Sequence, residues 1–365
     1  MRKKIVIIAN NDVGLYKFRK ELIETLLKKY EVHILLPYGE FVNSLISMGC
    51  TYHQTELNRH GINPAEDLKL LGQYKKFIRL IRPEVVLTYT IKPNIYGGIV
   101  CAGEQVPCIA NITGLGTAVE KPGVLQFITV SLYRYALRKN QKVFFQNEAN
   151  LAFMRKKKIV KDNSELIPGS GVNLQQYLPS EYPAETQVHF LFVARIMKEK
   201  GIDQYLEAAR YIRKKYPETC FHICGACEQE YRKQLERHHA DGTIVYHGQV
   251  ADMIPLYNMC SCLIHPTYYP EGMSNVLLES CACARPIITT DRSGCREIID
   301  DGVNGFIIRQ KDSRDLIEKI EAFLSLSPEE RRNMGLAGRA KVEREFDRQV
   351  VVNQYLKEIE KVGRI

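Results

Sequence analysis

Short apolar runs and amphipathic stretches alternate along almost the whole chain. The run KIVIIA at residues 4–9 reads as a buried strand. After the turn Asn10-Asn11-Asp12-Val13-Gly14, apolar residues recur at Phe18, Leu22 and Leu26, the period of a helix packed on one side. EVHILLP, EVVLTYT, PCIANIT and KVFF repeat the strand signature. Helical patterns fall between them at residues 41–48, 64–80 behind an Asn63 cap, 94–101, 124–138 and 147–155. The segment 165–185 is rich in Pro, Gly, Ser and polar residues and reads as a linker. The alternation then starts afresh with VHFLFVAR, a helix over 202–215, CFHICG, a helix over 228–239, TIVYHG, a helix over 253–257 and CLIHPT. A chain of 365 residues fits two domains better than one core. The pattern predicts two doubly wound α/β domains in tandem, residues 1–178 and 179–345, facing across a cleft.

The stretch PEGMSNVLLESCACARPIITT, residues 270–290, concentrates the candidate chemistry. It reads as a turn at 270–275, a helix from Ser274 with Val276, Leu277, Ser280, Cys281 and Ala284 on its packed side, and a strand over 286–289. In a parallel sheet, ligands sit at the carboxyl ends of strands. The amides of Met273, Ser274 and Asn275, with the positive end of the helix dipole, make an anion site suited to phosphate. Glu271 and Glu279 frame it, spaced for the two ends of a nucleotide-sugar rather than for two acids on one bond. By themselves they read first as a helix-terminal charge and a solvated surface residue, and only their context favours a site. In VARIMKEKG, Arg195 and Lys200 end a strand before a helix and could neutralise a diphosphate leaving group; surface charge is the plainer alternative.

Composition narrows the class. No G-x-G-x-x-G follows the first strand, which argues against a dinucleotide domain. No Asp-x-Asp pair ends a strand, so no metal site is expected. No apolar run approaches a membrane span, and MRKKIVIIAN is a basic start to a short strand rather than a signal peptide. Eleven cysteines without framework spacing agree with a reducing compartment, and both features point to a cytoplasmic location. Cys224-x-x-Cys227 beside His222 is a single pair and reads as structural thiols; Cys260, Cys262, Cys281 and Cys283 read as small core residues. His265 ends the strand before the 270–275 turn, where lining a site and filling the core both stay open.

The charge is unevenly placed. Residues 1–180 carry 25 Lys and Arg against 14 Asp and Glu, and the remainder 26 against 28, so the positive excess of the +9 chain lies in the first half. It clusters at Lys17/Arg19/Lys20, Lys75/Lys76/Arg79/Arg82, Arg134/Arg138/Lys139 and residues 155–158, interleaved with aromatics. Anionic membrane attracts such faces, which are otherwise simply solvated. No nucleic-acid-binding motif is present.

VARIMKEKG, HPTYYPEGMSNVLLESCACARPIITTDRSGCREIIDDGVNGFII and IPGSGVN together resemble the retaining family-4 glycosyltransferases of GT-B fold, over essentially the whole chain. The resemblance implies two Rossmann-like domains, with the helix over 349–362 in the 346–365 tail crossing back onto the first. It implies Arg195 and Lys200 on the donor diphosphate, Glu279 on the ribose, Glu271 on sugar hydroxyls, and the backbone of Gly272, Met273, Ser274, Asn275 and Val276 around phosphate and sugar. The Gly14 loop would close over the donor, and no metal cofactor is needed. Where many relatives carry a histidine after the strand matching PCIANIT, this chain has Thr113 followed by Gly114. YTIKPNIYGG and NITGLG resemble a subgroup that extends polyprenyl-diphosphate-linked saccharides, several members of which use a UDP-N-acetylhexosamine. Lys92, Asn94, Thr113 and Gly114 are then acceptor-side or donor-sugar candidates. The expected protein is a UDP-sugar-dependent transferase peripheral on the inner face of the cell membrane. A soluble acceptor, a nucleotide-sugar epimerase of the same plan and a non-catalytic binding subunit are the alternatives; no set of cleft acids and histidines supports the epimerase.

Overall fold

The computed structural model describes residues 2–57, 63–116, 119, 122–183, 187–227 and 229–362. They divide into two compact units. The first comprises Met1–Gly171 with Glu271–Met273 and Arg348–Ile365, and the second Val172–Pro270 with Ser274–Asp347.

The first unit holds β1 (Lys4–Ile8), β2 (Glu31–Leu36), β3 (Thr51–Gln54), β4 (Val85–Tyr89), β5 (Cys108–Ile112), β6 (Lys142–Phe145) and β7 (Ser164–Leu166). They form one sheet in the order β3-β2-β1-β4-β5-β6-β7, and every pairing is parallel. Side chains alternate between its faces, as the period of a strand requires. Ile5, Ile7, Val85, Leu87, Ile109 and Phe144 join helices Asp12–Lys29 and Arg348–Val362 in one core. On the opposite face Val6, Ile8, Val86 and Cys108 meet helices Pro64–Ile81 and Gly98–Glu104, and Ala110, Ile112, Val143 and Phe145 meet helix Val124–Leu137. Burial on both faces explains why the central strands are continuous apolar runs.

The second unit holds β8 (Val188–Val193), β9 (Thr219–Cys224), β10 (Val245–Tyr246), β11 (Cys262–His265), β12 (Ile287–Thr290) and β13 (Gly305–Ile308). Their order is β10-β9-β8-β11-β12-β13, again wholly parallel, around a core of Phe190, Phe192, Tyr205, Phe221, Ile264 and Phe323. In each sheet the winding reverses at one place, between β1 and β4 and between β8 and β11. Those are the switch points at which ligands bind in this class of sheet.

Three features depart from the sequence pattern. β3 and β7 were not expected; they are short edge strands with little or no burial, so TYHQ and SEL carry no apolar signal. The helix after β1 starts at Asp12, not beyond Gly14, because the Asn11 side chain accepts the Gly14 N–H at 2.6 Å and caps it there. The helix expected over 94–101 opens with a wider i→i+5 turn at Pro93–Gly97 before the α-helix Gly98–Glu104. There a side chain on Gly97 would strike Thr88 and one on Gly98 the Ala136 carbonyl, so the Gly-Gly pair lets this segment lie against strand and helix. The linker expected over 165–185 takes in the last two residues of β7, and its residues 184–185 lie outside the described residues; so does residue 228 of the helix expected over 228–239. Cys260 and Cys281 are buried, which pushes each thiol up to about 12 and leaves it inert, as core residues are.

Candidate functional site

In the second unit the chain leaves β8 through Arg195, turns at Lys198–Lys200, and enters helix Ile202–Lys215 at Gly201. Gly201 has φ +80° and lies against the Pro266 carbonyl so closely that no side chain fits. The Glu199 carbonyl accepts the Tyr268 N–H at 2.9 Å and the Thr267 hydroxyl at 3.3 Å. The loops after β8 and β11 are thereby fixed to each other at the switch point. Lys200 is half-buried with its ammonium 4.9 Å from the centre of the Tyr269 ring, a cation–π contact, while Arg195 is exposed.

His265, the last residue of β11, is fully buried, with Nε2 3.4 Å from the Ser274 hydroxyl. Burial, and then the charge of Lys200, push its pKa down to about 3, so the imidazole is neutral at physiological pH. His265 therefore packs as a neutral core group under the loop that carries Lys200.

The helix beyond the turn runs Asn275–Ala282, with Leu277, Leu278, Ser280, Cys281 and Ala282 buried. Val276, expected on the packed side, is half-buried at the first turn. Ser274 stands at the N-cap, yet its side chain makes no capping bond. Its own N–H donates to the Gly294 carbonyl at 2.8 Å, so Ser274 is not one of the amides left for an anion. The first-turn N–H groups of Asn275, Val276 and Leu277 have no intrahelical carbonyl to reach and are the donors at this helix end. Gly294 is itself held, its N–H donating to Glu297 Oε2 at 2.7 Å and the Ser293 hydroxyl to Oε1 at 2.8 Å. Glu279, half-buried one turn along the helix, accepts the hydroxyl of the buried Tyr257 at 2.8 Å. Burial, and then the Glu279 charge, raise the Tyr257 phenol well above its ordinary range, so it donates to the carboxylate.

Glu271, Gly272 and Met273 group with the first unit. The Asn147 amide donates to the Glu271 carbonyl at 3.1 Å and the Gly272 carbonyl at 2.5 Å, while its Oδ1 caps helix Glu148–Lys156 through the Asn150 N–H at 2.9 Å. A side chain on Gly272 would strike the Thr113 carbonyl and the Gln146 amide. Thr113 and Gly272 are thus neighbours, and Glu271 projects from a backbone clamped by Asn147. Thr113 and Gly114 are both half-buried, at the carboxyl end of β5.

The other first-unit candidates are engaged internally. Lys92, after β4, donates to Asp67 Oδ1 at 2.8 Å, and both are largely buried. Asn94 is buried; its Oδ1 accepts the Thr88 hydroxyl at 2.7 Å and its Nδ2 donates to the Asn111 carbonyl at 2.8 Å. It ties the segment after β4 to β5, which turns its amide away from any ligand. Gly14 sits in the first turn of its helix with its N–H taken by Asn11.

Sequence reasoning missed Tyr257, Asn147, Gln146 and Glu297. Asn147 alone left a signal, as a capping residue ahead of a helix; the others act through contacts distant in sequence. Among the described residues, no group of three or more His, Cys, Asp or Glu side chains is placed to hold a metal ion.

Residues 4–147 match the glycosyl transferase 4-like family model and residues 176–341 the glycosyl transferases group 1 model. Over 98% of this chain and 99% of the relative, the sequence is 25% identical to the N,N'-diacetylbacillosaminyl-diphospho-undecaprenol alpha-1,3-N-acetylgalactosaminyltransferase of Campylobacter jejuni. It is also 25% identical to the capsular polysaccharide biosynthesis glycosyltransferase CapM of Staphylococcus aureus, over 93% of this chain and 94% of CapM. Among solved structures, HepE of Anabaena in complex with UDP and glucose superposes with a TM-score of 0.81 at 17% identity, covering 100% of both chains.

Proposed function

Since the chain belongs to the glycosyltransferases of GT-B fold, we propose that it transfers an N-acetylhexosamine from a UDP-sugar to a polyprenyl-diphosphate-linked saccharide. N-acetylgalactosamine is the first candidate sugar, transferred with retention of anomeric configuration, and the role is in building a bacterial surface or protein-linked glycan. The relative from Campylobacter jejuni, named for that sugar and an undecaprenol-diphosphate acceptor, supports this over a soluble acceptor. A lipid-linked acceptor and the positive excess of the first half of the sequence both support a place against the inner face of an anionic membrane. Among the described residues no helix is long and apolar enough to cross one.

One observation carries the donor assignment: at the β8/β11 switch point a cationic loop is locked beside an uncapped helix amino terminus. Arg195, Lys200 and the first-turn amides would hold the UDP diphosphate and take up the charge that develops on the leaving oxygen, without a metal ion. Glu279, oriented by Tyr257, would accept hydrogen bonds from the ribose hydroxyls. Glu271 orients the sugar rather than acting as a base, and the Gly272–Val276 backbone lines the phosphate and sugar. With the sugar held, the C1–O bond to the diphosphate would break through an oxocarbenium-like state as the acceptor oxygen bonds C1, the hydroxyl proton passing to the departing diphosphate oxygen, and stabilisation confined to that state raises the rate.

Calorimetric titration of UDP, GDP, ADP and NAD in the presence of EDTA tests the donor site. Selective UDP binding that survives EDTA is expected, followed by turnover of UDP-N-acetylgalactosamine on an undecaprenyl-diphosphate-linked acceptor. GDP binding alone would overturn the donor, and no nucleotide binding would overturn the site.

A further inference from the structure

Arg285 stands between the helix that carries Glu279 and the next strand, β12, and is wholly buried. Ala284, in the left-handed region at φ +55°, closes the helix, and the Arg285 N–H donates back to the Ser280 carbonyl at 3.0 Å. The guanidinium is thereby set among backbone oxygens. Nη1 donates to the carbonyls of Cys283 at 3.1 Å and Ala284 at 3.3 Å, just past helix Asn275–Ala282. Nε donates to the Tyr257 carbonyl at 2.9 Å and Nη2 to the Asn258 carbonyl at 3.0 Å, both in the last turn of helix Ile254–Met259. Nη2 also meets the Ser180 hydroxyl at 2.6 Å and the Glu181 carbonyl at 2.9 Å.

These partners are neutral oxygens, and the charge is offset by the negative ends of two helices. Burial lowers the Arg285 pKa, yet a guanidinium keeps its proton at physiological pH. What it supplies that an apolar side chain could not is a planar fork of N–H donors. The two helices joined by that fork are the two that carry the Tyr257–Glu279 hydrogen bond. The Tyr257 carbonyl is one of its acceptors, while the Tyr257 hydroxyl reaches Glu279 at 2.8 Å. On the other side the Cys283 N–H donates to the Glu279 carbonyl at 3.0 Å, and Arg285 holds the Cys283 carbonyl. One rigid group therefore fixes the backbone at both ends of that bond.

We propose that Arg285 is a positioning residue for the donor ribose: it holds the Tyr257 and Glu279 backbones in register, aims the Glu279 carboxylate, and so sets how strictly the site demands ribose hydroxyls. The inference deepens the reading of Glu279 as the ribose acceptor and rests on it. A lysine cannot replace the fork, because one ammonium does not present donors in a plane to two helix ends. Hydrogen bonds weaken steeply with angle, so a small shift of the carboxylate costs the ribose contact first.

The test is calorimetric titration of the full chain with UDP and with 2′,3′-dideoxy-UDP. Wild type should bind UDP about tenfold or more tighter than the dideoxy compound, the scale of hydrogen bonds to a charged group. Arg285→Lys should lose most of that preference and bind the dideoxy compound as wild type does. In turnover its KM for UDP-N-acetylgalactosamine should rise with kcat near wild type, the sign of lost binding shared by ground and transition states. Ser180→Ala removes the 2.6 Å partner alone and leaves Arg285 in place. It should narrow the preference a few-fold, and it decides the matter if Arg285→Lys fails to fold. An unchanged UDP preference in the folded variants would overturn the inference. So would an equal loss of affinity for both compounds, which is what a purely structural arginine gives. A wild type that binds the two compounds alike would remove the ribose assignment, and this inference with it. The wild type alone thus tests the ribose reading, and the variants test Arg285.

Discussion

The two sheets are wound alike, and at corresponding places their carboxyl edges use polar atoms in opposite ways. Beyond β8 and β11, Arg195, Lys200 and the first-turn amides of helix Asn275–Ala282 are presented by loops whose own carbonyls are already bonded. Beyond β4, polar side chains answer one another: Lys92 with Asp67, Asn94 with Thr88 and Asn111, and Asn111 with the Tyr355 hydroxyl at 2.6 Å. Position at a switch point is therefore not enough to name a ligand site. What separates the edges is that the second sheet ends at a helix amino terminus whose first-turn N–H groups have no intrahelical carbonyl to reach, whereas Lys92 and Asn94 of the first sheet bond polar groups of their own unit. That difference is why the anion chemistry is proposed for the second sheet, while the first carries a structural network.

The comparison breaks most visibly if the cations are removed. Arg195→Ala and Lys200→Ala should each lower turnover by about 10²–10³-fold, the scale of deleting one group that stabilises developing charge. Circular dichroism should be unchanged, since neither side chain is in the core. A loss of only a few-fold would mean the charges are surface charges after all.

Next in size is a split between the two glutamates. Glu279→Ala should weaken UDP binding by about tenfold or more, in line with roughly 1.5–3 kcal/mol for hydrogen bonds to a charged group. Tyr257→Phe should weaken it less, because the carboxylate remains but is no longer oriented. Glu271→Ala should leave UDP affinity near wild type and lower turnover, as expected of a group on the sugar. Equal UDP affinity in wild type and Glu279→Ala would remove the ribose assignment.

The first-sheet network predicts the reverse pattern. Asn111→Ala leaves the Tyr355 hydroxyl and the Gln146 amide without their partner in the core, and should destabilise the chain by about 1–3 kcal/mol in urea titration. UDP affinity should not move. If it falls with stability intact, the contrast between the two edges fails.

Much of this was legible from sequence because it depends on local pattern. Buried parallel strands write themselves as apolar runs, and Asn63 before Pro64 marks a helix start that the Asn63 side chain completes by accepting the Ala65 N–H at 3.1 Å. Charges after a strand, as at Arg195 and Lys200, are visible for the same reason. Contacts between distant segments are not. Nothing near Tyr257 says that its hydroxyl will reach Glu279, 22 residues on, and nothing near Gly294 says that it will take the Ser274 amide. β3 and β7 were lost because, at the edges of the first sheet, they lack the two-sided burial that produces the signal. Asn94 misled because a polar residue after a strand reads the same whether it faces a ligand or a neighbouring strand.

The smallest effect concerns acid. Three histidines stand in a row across β8, β9 and the end of β10: His189 Nδ1 lies 2.9 Å from His222 Nε2, and His222 Nδ1 lies 3.0 Å from His247 Nε2. Burial, then the charges His189 and His247 would carry, push His222 down to about 4, and burial lowers both neighbours too. In the unfolded chain each titrates near its ordinary value of about 6.5. Below that value the unfolded state binds more protons than the folded one, so stability falls as pH drops from about 6.5 towards 4 and is level above about 7. Replacing His222 with Asn should flatten that slope by up to about one proton, roughly 1 kcal/mol between pH 6.5 and 5.5. Urea titrations of wild type and His222→Asn across this range measure the difference. Parallel slopes would mean that the row is protonated in the folded protein, and that the second unit tolerates charge in its sheet as well as at its edge.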